Sequence, residues 1–177
     1  MRITRPSRRL ALVGAAAAAT ALSATAVALP GAAGAAPGHH EERPTIVLEH
    51  GAFADAASWD GVVERLQRAG YPVVAAANPL RGPAHDAAYL RSVVQHVDGP
   101  VVLVGHSYGG TVISQAAAGL EDKVKALVYI AAFLPDVGES SLGLTDKFPG
   151  STLGQAVEPV NYTLPDGSRG ADVYIRP

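Results

Sequence analysis

The sequence predicts an α/β fold, a parallel sheet flanked by helices, and three observations carry the prediction. Short apolar runs alternate with amphipathic stretches from Thr45 to Ala131, the pattern of strands joined by crossover helices. The run Val101–Val104 is apolar at every position, as a strand covered on both faces should be. Stop signals separate the runs: Gly70, Asp98-Gly99-Pro100 and Leu134-Pro135 each stand where a helix or strand should end.

The elements follow in order. Arg2, Arg5, Arg8 and Arg9 precede an uncharged, Ala-rich run from Leu10 to Leu29, then Pro30-Gly31 and the small-residue site Ala33-Gly34-Ala35. Basic start, apolar middle and small-residue end make residues 1–35 a secretory signal peptide. Arg8-Arg9 leaves the twin-arginine and general export routes both open. An uncleaved anchor is the alternative, disfavoured because alanine is weakly hydrophobic beside a Leu-rich span. Residues 36–44, with His39, His40, Glu41 and Glu42, form a polar linker, more simply a solvated tail than a metal site.

Residues 45–135 are the predicted core. Strands are expected at Thr45–Leu48, Tyr71–Ala77, Val101–Val104 and Val124–Ala131. Helices are expected at Ser58–Ala69, where Trp59, Val62, Val63 and Leu66 recur at helical spacing, at Asp86–Val97 with Asp86 as N-cap, and at Thr111–Ala118. Small residues in the last helix allow it close to the sheet. From 136 to 177 the sequence turns Gly-, Pro- and Ser-rich, with no expected strand or long amphipathic helix, which suggests a lid.

Composition narrows the chemistry. The 177 residues carry formal charge −2, 48% hydrophobic and 17% charged residues, and no cysteine. This fits one globular domain and excludes disulfide scaffolds, thiol nucleophiles and cysteine metal sites. Residues 1–35 hold four basic and no acidic residues, so the remaining 142 carry formal charge −6. A mildly acidic domain without a basic patch is not a nucleic-acid binder. A chain of that length buries roughly two thirds of its unfolded surface.

Gly105-His106-Ser107-Tyr108-Gly109 lies between the third strand and third helix, the setting that gives weight to a G-x-S-x-G nucleophile elbow. A sharp turn there presents Ser107 at the carboxyl edge of the sheet, and Gly105 and Gly109 leave it room. A phosphate loop is excluded because Thr111 stands where its lysine should be. An acyl-transfer serine needs donors for the oxyanion. The backbone N–H groups of Ala52, in His50-Gly51-Ala52-Phe53 after the first strand, and of Tyr108 are the expected pair. His50 and His106 are read as loop-bracing residues rather than bases. For Asn78–Gly82 two readings stand: a turn shaped by Pro79 and Gly82, or a pocket mouth with Leu80 and Arg81. Tyr89, Tyr129 and Phe133 are expected as core or pocket wall.

With these residues in view, the sequence resembles the α/β-hydrolase superfamily, in its small esterase-like branch that includes hydroxynitrile lyases and methyl esterases. The resemblance runs from about Pro44 onward. It rests on Thr45–Phe53, Ser58-Trp59, Asn78–Gly82, Gly99–Gly110 and Leu127–Pro135. Glu49 departs from the apolar residue usual at its position. The resemblance implies a serine hydrolase acting on a small ester or acyl compound, with Ser107 as nucleophile, Phe53 and Leu80 against the substrate, and 136–177 as the start of a cap. It implies no metal, no organic cofactor and, once the export signal is cleaved, no stable membrane association.

In that superfamily an Asp or Glu and then a His follow the serine. Here all six histidines, at 39, 40, 50, 85, 96 and 106, precede Ser107. Four strands are expected, so the sequence resembles the N-terminal half of such an enzyme, with triad acid and base outside it, inactive by itself and prone to aggregate at an unpaired sheet edge. The alternatives are a non-catalytic binding protein on the same scaffold and a lyase.

Overall fold

The computed structural model describes residues 42–176; the predicted export segment and most of the linker lie outside them. Four parallel strands, β1 (Thr45–Glu49), β2 (Val73–Ala76), β3 (Val101–His106) and β4 (Val124–Ile130), lie in the order β2-β1-β3-β4. The helices joining them are α1 (Asp60–Arg68), α2 (Pro83–His96) and α3 (Gly109–Ala117). The predicted fold class and strand and helix order are those observed.

Apolar side chains divide between the two faces of the sheet. On one, Ile46, Leu48 and Val104 meet Trp59, with Val63 and Leu66 of α1 packed against them. On the other, Val47, Val101 and Leu103 meet Ala87, Leu90 and Val94 of α2 and Val112, Ile113 and Ala116 of α3. Because β1 and β3 are central and covered on both faces, their alternating side chains are apolar in both directions. Every residue of β1 is buried; β4, at the edge, exposes Val128 and Ile130.

Boundaries moved for identifiable reasons. Asp55 accepts a bond from Ala57 N (2.9 Å) and starts a 3₁₀ turn, Ala56–Trp59, ahead of α1. Tyr71 and Pro72 fall outside β2, because Tyr71 N bonds back to Leu66 O at the helix end and proline has no N–H to give. Asp86 is not an N-cap. Pro83 takes the first helical position, where its missing donor costs nothing, and Gly82 is the cap, so α2 begins three residues before the expected start.

The largest correction concerns 136–177. This region holds the short helices α4 (Ser141–Lys147) and α5 (Leu153–Ala156) and an antiparallel hairpin of β5 (Val157–Thr163) and β6 (Arg169–Ile175). The turn at its tip is made by Pro165-Asp166-Gly167: Gly167 N bonds Leu164 O (2.9 Å), Ser168 N bonds Asp166 Oδ1 (2.9 Å), and Gly167 has φ +84°. Pro-Asp-Gly between alternating runs is a turn signal. Pro159 inside β5 hid it, since proline argues against a strand; β5 tolerates it as one strand of a two-stranded ribbon.

Candidate active site

The strand order places the site. From β1 the chain turns toward β2, and from β3 it turns the other way toward β4. The loops leaving β1 and β3 therefore diverge, opening a crevice at the carboxyl edge, the switch point at which open parallel sheets bind ligands. The His50–Phe53 loop and the turn around Ser107 occupy that point.

Ser107 is half-buried, with φ +53°, a left-handed conformation that costs a non-glycine residue on the order of 1 kcal/mol or more. The surroundings hold it there. Ser107 N bonds Ile130 O at the end of β4 (3.3 Å), and Ser107 O accepts from Gly110 N (3.0 Å) and Phe133 N (3.0 Å). The flanking glycines are required by contact. A Cβ on Gly105 would lie 2.6 Å from Gly109 O, and one on Gly109 would collide with the backbone carbonyl of Glu49. Strand and helix thus cross at backbone distance. Ser107 lies directly against Gly51, whose added Cβ would be 3.3 Å from Ser107 Oγ.

His50 is buried and spends both ring nitrogens on the loop. Its Nδ1 pairs with Gly51 O (2.9 Å), so Nε2 accepts from Asn78 N (3.1 Å), while Asn78 Nδ2 donates to His50 O (3.0 Å). The loops after β1 and β2 are thereby stitched together. His106 is exposed and meets Trp59 edge-on, ring centroids 6.3 Å apart. His85 sits beside Asp86 (3.3 Å), and His96 is bonded to Ser92 O (2.7 Å). Each described histidine is thus engaged away from Ser107 Oγ. Among the described residues no three His, Asp or Glu groups gather into a metal-binding set.

A cleft of about 1040 Å³ opens beside the elbow. Ala52 and Tyr108 reach its floor; Phe53 and Leu80, both with positive φ (65° and 55°), form wall on the core side; Val173 and Tyr174 of β6 face them. The loop 79–83 is therefore both a turn and a cleft wall. Arg81 joins it to the hairpin, with Nη1 2.5 Å from Asp172 Oδ1 and its guanidinium 5.0 Å over the Tyr162 ring. Tyr129 packs beside the core with its hydroxyl on Ser114 Oγ (2.8 Å), whereas Tyr89, expected in core or wall, is 41% exposed on α2.

Sequence reasoning missed the group under the elbow. Asp86 is fully buried. Its Oδ1 accepts from Arg81 N (2.9 Å), and its Oδ2 accepts from Gly82 N (3.2 Å) and the Tyr108 hydroxyl (2.8 Å). Asp86 reaches back to the cap N–H as the acidic member of a capping box does, from one position further into the helix, and an Asp near the start of α2 was the available signal. Burial, with the adjacent Asp86, holds the Tyr108 phenol far above the ordinary tyrosine range, so it remains a donor.

A serine on a strained strand-to-helix turn, at the switch point of a doubly covered parallel sheet, defines an α/β protein of the hydrolase type. The chain belongs to the alpha/beta hydrolase family, whose model matches residues 46–175. It is 33% identical over 113 residues to a carbendazim hydrolyzing esterase of Nocardioides sp. (strain SG-4G), covering 57% of this chain and 47% of that one. It is 34% identical over 105 residues to methylesterase 7 of Arabidopsis thaliana, covering 51% and 40%. Among solved structures it is similar to an extracellular alpha/beta-hydrolase from a Paenibacillus species, at 28% identity and TM-score 0.55 over 64% of this chain and 49% of that one. The chain spans about half the length of the curated relatives it matches.

Proposed function

We propose that this protein is an exported serine hydrolase that cleaves small esters through Ser107. The observation that carries the reading is the elbow itself, a half-buried serine with φ +53° packed against Gly51, the serine's chain neighbour Tyr108 lining the cleft together with Ala52. Ser107 Oγ attacks the ester carbonyl carbon while its proton passes to a base. The N–H groups of Ala52 and Tyr108 receive the negative charge that develops on the carbonyl oxygen. The carbon–oxygen bond to the alcohol breaks, the alcohol leaves with that proton, and water then hydrolyses the acyl-serine and restores the hydroxyl. Phe53 and Leu80 hold the apolar part of the substrate. The acid and base are supplied by residues other than the described histidines, each of which is engaged elsewhere. No step calls for a metal or organic cofactor.

Residues 1–35 are proposed as the export signal, 36–44 as linker, 45–135 as hydrolase core and 136–177 as cap. Esterase names among the relatives and the extracellular Paenibacillus protein support activity and location respectively. The engagement of the four described histidines favours one second reading, a binding protein on the same scaffold. The test is hydrolysis of a short-chain p-nitrophenyl ester by protein expressed from the complete reading frame, beside Ser107→Ala. Turnover lost in the variant, with an unchanged thermal midpoint, is the expected result. Turnover retained in the variant overturns the assignment, and an inactive parent that still binds the ester favours the second reading.

A further inference from the structure

Two carboxyl groups are buried together on the α2/α3 side of the sheet, behind the elbow. Glu49 ends β1, paired in register with Gly105, and Asp86 lies in the first turn of α2; both are 0% exposed. Their surroundings differ. Asp86 is tied to three backbone or hydroxyl donors, whereas neither oxygen of Glu49 has a hydrogen-bond partner among the described residues.

Through Asp86, three parts of the site share one anchor. Tyr108, whose backbone N–H is the proposed oxyanion donor, is fixed at its far end by Asp86 Oδ2, and the cleft wall Arg81-Gly82 is fixed by both carboxylate oxygens. We propose that Asp86 is a positioning residue that sets the oxyanion donor against the cleft wall, and that the unpartnered Glu49 beside it must stay protonated for this arrangement to hold. The proposal rests on the serine-hydrolase reading for its catalytic part, though not for its effect on stability.

The charge balance explains the second half. Among the described residues, the titratable groups that face Glu49 or its partner Asp86 are Asp86 itself and the exposed His85 from α2, Tyr108 from the elbow, and His50, which follows Glu49 just past the end of β1. Two carboxylates cannot both be charged in so dry a place without a cation between them. Asp86, which accepts on both oxygens, is the ionised member. Burial first, and the Asp86 charge second, push Glu49 up to about 8, so the pair carries a single negative charge at neutral pH. Because the folded value lies above the ordinary value of 4.5, the folded state binds the extra proton between the two. The pair's contribution to stability is therefore fully present below 4.5, falls as pH rises toward about 8, and levels off above that, where a second buried charge stands beside Asp86 and Tyr108.

Thermal unfolding of the full chain from about pH 5 to about pH 9.5 tests the pair without needing activity. The parent's midpoint should fall from the acid end up to about pH 8 and level off beyond it, and Glu49→Gln, with Glu49→Leu as a second form should the amide not fold, should remove most of the fall. An undiminished fall between the acid end and about pH 8 in both variants overturns the role of Glu49. Positioning is tested by Tyr108→Phe, which removes only the hydroxyl that Asp86 holds. At neutral pH, kcat should drop about tenfold with KM nearly unchanged, the signature of a misplaced transition-state donor; Asp86→Asn, which can still accept from that hydroxyl, should lose less than Asp86→Ala. An unchanged kcat in Tyr108→Phe overturns the positioning role. Failure of the Ser107 reading would appear separately, as turnover surviving Ser107→Ala, and leaves the unfolding test intact.

Discussion

The centre of the sheet and the hairpin that faces it are held in opposite ways. In β1 and β3 the side chains are sealed between helices, with Val47, Leu48, Val101 and Leu103 at 0% exposure. In β5 and β6 the apolar residues Val160, Val173, Tyr174 and Ile175 are 44–55% exposed, and the tie to the core includes the exposed Arg81–Asp172 pair and the stacking of Arg81 on Tyr162. Exposed ion pairs are screened by water and contribute little, while each sealed aliphatic side chain contributes a few kcal/mol. The half that carries the nucleophile is thus fixed by burial. The half that closes the cleft is attached by contacts that solvent can replace.

Substitutions can break or sharpen this contrast. Leu103→Ala, at the centre, should cost about 2–5 kcal/mol, read as the shift in denaturant midpoint at constant slope; a cost as small as that of a surface change would show the central strand to be poorly packed. Arg81→Ala should leave the global unfolding transition almost where it was but raise amide exchange and protease cleavage across 157–175. Coincident loosening of β1 would mean that hairpin and core form one cooperative unit. Val160→Ala should stay within about 0.5 kcal/mol of the parent; a larger loss would reveal packing on the hairpin's outer face.

The same division governs how much could be read from the sequence. The core was legible because burial on both faces leaves uninterrupted apolar runs such as Val101–Val104, and because the elbow needs glycine at two fixed positions. The hairpin was not, since strands that seal nothing need no strict alternation, and Pro159 spoke against one of them. At the site, the His50–Phe53 loop and the Gly105–Gly109 elbow are each a short contiguous run with characteristic neighbours. Asp86 was seen only as a cap, because a side chain that links residues 81, 82 and 108 leaves no spacing pattern of its own. Glu49 was noticed as out of place, but its significance depends on Asp86, brought beside it by the crossover from β2 to α2.

Phe53, Leu80 and Ser107 share the left-handed backbone conformation, and this sets a trade-off for anyone engineering the protein. Glycine at position 53 or 80 would release about 1 kcal/mol of backbone strain, so a library selected only for heat resistance should enrich it there. Each such gain would strip an apolar side chain from the cleft wall, and the hardiest variants should be the least discriminating.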